Sequence, residues 1–179
     1  MTTILIDCDN QEVHSDTRAT ISYEDMDTTS EEDVEKIHEL PDGTVIVGAG
    51  SRKMIAEFIK VYPNVPRVYS KGNPHTSICV IRPAKEGLWV KQFGFKYGKT
   101  SCSFLDWYLR NIPKKAYVAE LSSNQIHSSG CVTLGSGGVI AKVLFEEGYG
   151  IQEIYDIVSK HDVGTNNKIT TLEVKLDED

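Results

Sequence analysis

The sequence predicts an α+β fold in which antiparallel sheets are layered with helices. Short β-branched runs arrive in pairs joined by turn residues, and amphipathic stretches separate those pairs. Strand and helix never alternate in the strict order of a parallel βαβ fold. The 179 residues, 40% of them hydrophobic, are enough for a sizeable core, and residues 1–179 are expected to form one domain.

Taken in order, Thr3 to Asp7 (TILID) reads as a strand that turns at Asp9-Asn10, and Glu12 to Thr20 returns antiparallel to it. Glu24 to Glu35 is acidic and rich in Ser and Thr, the composition of a solvated loop. From Lys36, KIHEL, PDG and TVIVGAG read as strand, turn and strand. Ser51 stands where it caps a helix, SRKMIAEFIKVY, in which Met54, Ile55, Phe58 and Ile59 form one apolar stripe. NVPRVYSKGNP breaks the regularity with its prolines and glycine. SICVIRPAKEGLWVKQFGF is expected to be a hairpin turning near Pro83 to Gly87. SCSFLDWYLRNI is expected to be a short amphipathic helix, and KKAYVAELSSNQIHSSG carries no clear period. CVTLGSGG is a strand ending in a glycine-rich turn, and GVIAKVLFEEGYG a helix closing on Gly148 or Gly150. In IQEIYDIVSKHD the apolar positions Ile151, Ile154, Tyr155 and Val158 have the spacing of a packed helix. NKITTLEVKL is a final strand, and DED a solvated end.

Composition excludes several functions. A formal net charge of -7 argues against nucleic acid or an anionic membrane surface as the main partner. No apolar run is long enough to cross a bilayer. Cys8, Cys79, Cys102 and Cys131 lie far apart without a CxxC, which points to reduced thiols and a cytoplasmic location. The five histidines form no HxxxH or HExxH, so no zinc site is expected. DCDN at Asp7 to Asn10 lacks the glycine and glutamate that complete a calcium loop.

The opening MTTI is expected to follow no leader, signal region or pro-segment. Thr2 is small enough for Met1 to be removed, which would leave a hydroxyl and a free α-amine on one residue, a known catalytic pairing. Taken alone, Thr2 reads rather as a polar residue at the start of a strand.

Five segments carry a resemblance: the initial TTI, SDTRATIS, the lysine of KIHEL followed by GAG, TLGSGG leading into a helix, and HDVGTNNKITTLEV. In this order and spacing the chain resembles the β-type subunits of the proteasome core. It is similar too to the peptidase subunit of the related, simpler bacterial ATP-dependent protease. Both are N-terminal-nucleophile hydrolases, and the resemblance covers roughly the first and last thirds of the chain. It implies a four-layer αββα sandwich, two antiparallel sheets flanked by helices. It also implies a threonine-type endopeptidase acting through an acyl-enzyme, self-association into a ring, and unfolded polypeptide or peptide as substrate. An ATP-dependent unfoldase is an implied partner; no metal or organic cofactor is implied.

By the same resemblance Thr2 is the nucleophile and its freed amine the proton acceptor, directly or through water. An α-amine titrates near 7.7–8.0, far closer to neutrality than a lysine near 10.4, and a neighbouring ammonium pushes it further towards its neutral form. Lys36 matches the active-site lysine, and Asp16 the carboxylate that pairs with it. Gly50 matches the glycine whose N–H faces the developing oxyanion, and Ser136 a serine close to the nucleophile. Asp162 and Thr165 match a D-x-x-S pair with Thr in place of Ser.

Taken singly, most of these residues have an ordinary structural reading; GSGG before a helix, for instance, lacks the GKS/T of a phosphate loop. The family usually has a helical pair where Arg52 to Thr76 leaves room for about one helix. The stretch from about Thr100 to Ser128 has no counterpart there, and GSRK replaces the usual continuation. Gly48 falls where the family carries a pocket-lining side chain, so a roomy specificity pocket is expected. Two alternatives stay open: a non-catalytic proteasome-like subunit serving assembly or partner binding, and an amidohydrolase of the same fold acting on a small amide.

Overall fold

The computed structural model describes residues 2–23, 26–64, 67–68, 75–98 and 116–175. Successive side chains of a strand point to opposite faces, so a strand that is apolar throughout must be covered on both. Ile4–Asp7 (β1) is such a strand: Ile4 and Ile6 enter one hydrophobic cluster, Leu5 another, and all three are fully buried. β1 pairs antiparallel with Glu12–Asp16 (β2), with Ile4 opposite Ser15 and Ile6 opposite Val13. The turn between them is the DCDN stretch. Asp7 Oδ1 accepts from the backbone N–H of Asp9 and Asn10, at 2.9 and 3.1 Å, which uses that carboxylate structurally.

Ala19–Tyr23 (β3) pairs with Met26–Glu31 (β4) in a two-stranded ribbon. Part of the acidic stretch expected as a loop is therefore strand. Pairing with β3 supplies the ladder that composition does not reveal. Ile37–Glu39 (β5) and Val45–Ala49 (β6) form the next hairpin, followed by the helix Arg52–Val61 (α1). The Ser51 side chain accepts from Met54 N at 3.5 Å, at the start of α1.

Arg67–Val68 (β7), Ser77–Ala84 (β8), Gly87–Gly98 (β9) and Ala116–His127 (β10) complete a six-stranded sheet ordered β5-β6-β8-β9-β10-β7. β8 and β9 turn at Lys85-Glu86. The patternless stretch is the long strand β10, paired with β9 from Ala116–Gly98 to His127–Leu88. Its register comes from its partner, so no period of its own announces it. The helix expected over SCSFLDWYLRNI lies outside the described residues, as do Cys102 and the terminal DED. Cys131–Leu134 (β11), Gly138–Glu146 (α2), Ile151–His161 (α3) and Ile169–Glu173 (β12) follow, and β11-β1-β2-β12 is a four-stranded antiparallel sheet.

Three clusters define the layers. Val45, Val47 and Ala49 of β6 meet Ile4 and Ile6 between the sheets. On the outer face of β6, Ile46 packs with Met54, Ile55 and Phe58 of α1. On the other side Leu5 packs beneath Ala141 of α2 and Ile154 and Val158 of α3. The order is α1, six-stranded sheet, four-stranded sheet, then α2 and α3: an αββα sandwich, as the resemblance implies. Each such buried aliphatic or aromatic side chain contributes about 1.5–3 kcal/mol relative to exposure. Among the described residues, no helix is long and apolar enough to cross a membrane.

One buried polar residue predicts a pH response. His14 lies in β2, its Nδ1 2.9 Å from Thr171 Oγ1, while its buried Nε2 makes no hydrogen bond but lies 3.4 Å from Glu12 Oε2. Burial lowers its pKa below the ordinary 6.5, opposed by the charges of Glu12 and Asp7. The folded state thus binds fewer protons than the unfolded one below pH about 6.5, so this contribution is complete above that pH and is lost as pH falls. Denaturant midpoints measured from pH 7.5 to 5.5 are expected to fall, and to fall less in His14→Gln; parallel slopes in the two proteins would refute the assignment.

Candidate active site

The residues just before β1 lie inside the sandwich. Thr2 and Thr3 are 6% and 0% exposed. Thr3 is tied on every polar group: its N–H donates to Asp16 Oδ1 at 2.8 Å, and its carbonyl accepts from Asp16 N–H at 3.2 Å and Tyr155 O–H at 3.3 Å. Its hydroxyl sits 2.7 Å from that of Thr165. Thr2 is therefore presented from a backbone held by the β1–β2 hairpin and by α3, the rigid support a reacting group needs.

Asp16 ends β2 with its side chain fully buried. Besides Thr3 N–H, it accepts from Arg18 N–H at 3.1 Å and from Lys36 Nζ at 2.8 Å. Lys36 stands just before β5 and is 8% exposed. Burial pushes the Lys36 ammonium below its usual range, with Asp16 and, more distantly, Asp162 opposing. Burial pushes the Asp16 carboxyl up, opposed by the Lys36 charge and by the N–H groups of Thr3 and Arg18. A carboxylate meeting one ammonium and two amides is arranged to be held in its charged form.

A second carboxylate closes the arrangement. Asp162 caps the C-terminus of α3, where the chain leaves the helix. Its Oδ2 accepts from Ser136 Oγ at 2.6 Å and Thr165 Oγ1 at 3.0 Å, and its Oδ1 from Gly164 N–H at 3.1 Å. Thr165 joins the two halves, since its hydroxyl also touches Thr3. The structure thus brings Asp16 and Lys36 together, and Ser136, Asp162 and Thr165 together, with Thr3 between the groups. Thr2, Lys36 and Gly50 line one pocket of about 230 Å³, between β6 and α1.

Residue types alone did not expose several contributors. Thr3 looks like an ordinary strand residue, and Tyr155 like core on a helical stripe; nothing local signals that both grip the N-terminal backbone. Asn166 returns the 162–167 loop to the strand region: its side chain accepts from Thr17 N–H at 3.1 Å, and donates to Thr17 Oγ1 at 3.1 Å and to Glu32. The repeated Asn in HDVGTNNK was the available hint. Gly48 lines the same pocket as Thr2, and a Cβ there would meet Ile55 Cδ1 at 2.8 Å. Ile55, reaching in from α1, occupies the space that a side chain at 48 would take.

Gly135 is required by a close approach. Its φ is +89°, and an added Cβ would lie 1.9 Å from the carbonyl oxygen of Thr2. Gly130 has a similar φ of +77° but open space around it. Gly130→Ala is expected to cost only about 1–3 kcal/mol of backbone strain and to leave the site intact. Gly135→Ala must in addition displace the Thr2 carbonyl, so it is expected to lose more stability than Gly130→Ala. Denaturant unfolding of the two variants checks this; equal midpoints would exclude a steric effect at Gly135.

Among the described residues, no group of three or more His, Cys, Asp or Glu side chains is placed to hold a metal ion. The thiols of Cys8, Cys79 and Cys131 are free, and burial pushes them up to about 11, 12 and 11.

No protein-family model matches the chain, and no curated protein matches it. Among solved structures, the crystal structure of eukaryotic HslV from Trypanosoma brucei is similar with a TM-score of 0.55. The match covers 96% of this chain and 99% of that one at 17% sequence identity. At that identity the likeness is one of fold, and it extends over nearly the whole of both chains.

Proposed function

We propose that this chain is a threonine peptidase of the proteasome-like, N-terminal-nucleophile kind, forming one domain over residues 1–179. The observation that carries the reading is the buried Lys36–Asp16 pair, whose carboxylate also holds the N–H of Thr3 beside a pocket lined by Thr2, Lys36 and Gly50. The fold shared with HslV supports it.

In this reading Met1 is removed and Thr2 becomes the N-terminal residue. Thr2 Oγ adds to the carbonyl carbon of the scissile bond while its proton passes to the α-amine. Lys36, held by Asp16, keeps that amine neutral through its nearby positive charge. Gly50 N–H meets the developing oxyanion, an interaction worth about 2.7–4 kcal/mol in comparable sites. The C–N bond then breaks, and the leaving amine takes the proton. Water attacks the ester with the α-amine as base, and the proton returns to Thr2 Oγ. Ser136, Asp162 and Thr165 orient the amine and the backbone of Thr2 and Thr3. The pocket receives the side chain preceding the cleaved bond, and Ile55 limits its depth. The proposal extends to a ring of copies in the cytoplasm that cleaves unfolded polypeptide, served by an ATP-dependent unfoldase.

Intact mass after incubation with a peptide epoxyketone tests the site. That reagent needs a nucleophilic hydroxyl and a free α-amine on one residue to form its ring adduct. The expected result is loss of Met1 and one adduct per chain. Retained Met1 with no adduct would overturn the peptidase reading in favour of a non-catalytic subunit.

A further inference from the structure

The Gly50 turn is anchored by a residue that carries no recognisable motif. Gly50 follows β6, and Thr76 precedes β8, which pairs with β6 through Ala49 and Ser77. Gly50 lies flat against Thr76: a Cβ on Gly50 would sit 2.7 Å from Thr76 Cα and 2.8 Å from its Oγ1. Thr76 is 1% exposed. Its hydroxyl accepts from Ser51 N–H at 2.9 Å and donates to Met54 Sδ at 3.7 Å, and Met54 is fully buried in the core beneath α1. Both flanks of Gly50 are thus fastened to the same neighbouring segment, Ala49 through the sheet and the Ser51 amide through a side chain.

The consequence concerns the turn that borders the pocket. The Ser51 N–H is held by Thr76, and Gly50 lines the pocket. Gly50 has a φ of +119°, a conformation that a glycine relaxes from freely unless the adjoining peptide planes are held. We propose that Thr76 is a positioning residue: by holding the Ser51 amide, and with it the Gly50–Ser51 peptide, its hydroxyl restrains rotation about Gly50, so that the N–H of the preceding Ala49–Gly50 peptide keeps its direction towards the reacting carbonyl. The inference rests on the peptidase reading above and adds a residue to it. Donors that stabilise an oxyanion act only if they need not reorganise during the reaction, so a loosened turn lowers kcat more than it alters substrate affinity.

Thr76→Val keeps the shape and the buried methyl group but removes the hydroxyl and with it the hydrogen bonds to Ser51 N–H and Met54 Sδ, whereas Thr76→Ser keeps the hydroxyl. With a fluorogenic peptide, Thr76→Val is expected to lower kcat by about 10–100-fold with KM within about threefold, and Thr76→Ser to stay within about threefold of the parent in both. Intact mass and thermal melting are read in parallel, and Thr76→Val is expected to lose Met1 and melt cooperatively like the parent. Unchanged kcat in Thr76→Val, or equal losses in both variants, overturns the positioning role while leaving the peptidase reading in place. A parent protein that neither cleaves peptide nor takes the epoxyketone overturns the peptidase reading itself, and the role of Thr76 with it.

Discussion

Thr2→Ala is expected to abolish peptide turnover, by on the order of 10³-fold or more, while leaving the fold unchanged. The first half follows from chemistry: alanine keeps the α-amine but supplies no oxygen to form the acyl-enzyme. The second follows from the structure. The contacts that secure the chain's beginning belong to Thr3, whose N–H, carbonyl and hydroxyl meet Asp16, Tyr155 and Thr165. The melting temperature is therefore expected to change by no more than a few degrees. Thr2→Ser retains both functional groups and is expected to remain active and to take the epoxyketone. Residual turnover near the parent level in Thr2→Ala would move the nucleophile elsewhere.

The second large effect concerns the buried pair. Lys36→Met removes the ammonium but leaves a side chain of similar length, so Asp16 remains buried with its two amide donors and no counter-charge. Breaking one partner of a buried ion pair costs about 3–5 kcal/mol, and losing a group that governs proton transfer costs about 10²–10⁴-fold in rate. Both stability and activity are expected to fall. The double variant Lys36→Met, Asp16→Asn relieves the uncompensated charge, so most of the stability is expected to return while activity does not. Denaturant unfolding together with peptide turnover separates the two effects. Recovered activity in the double variant would make the pair purely structural.

These two expectations differ in where their grounds lie. The candidate nucleophile, the lysine and both carboxylates were legible only through the resemblance carried by five segments in order along the chain, since each residue taken singly has an ordinary structural reading. Helices α1 and α3 were legible for a different reason. Their stripes, Met54-Ile55-Phe58 and Ile154-Tyr155-Val158, repeat at the helical period whatever they pack against. β10 was not legible, because its partner β9 imposes its extended conformation, and β4 was hidden by acidic composition.

The sequence by itself determined the α+β class and most element types, since each is encoded in local spacing, while the candidate side chains came from the ordered resemblance of five segments to a known family. Only the tertiary structure decided how those groups meet. Thr3 and Thr165 are 162 positions apart, and Asp16 and Lys36 are 20 apart, yet each pair is in hydrogen-bonding contact. Likewise Ile55 fills the space beside Gly48, Gly135 admits the Thr2 carbonyl, and Thr76 takes the Ser51 amide. Such contacts are set by sheet register and by which layer covers which face. Both arise from burying apolar surface across the whole sandwich, a sum over distant residues that no local pattern contains.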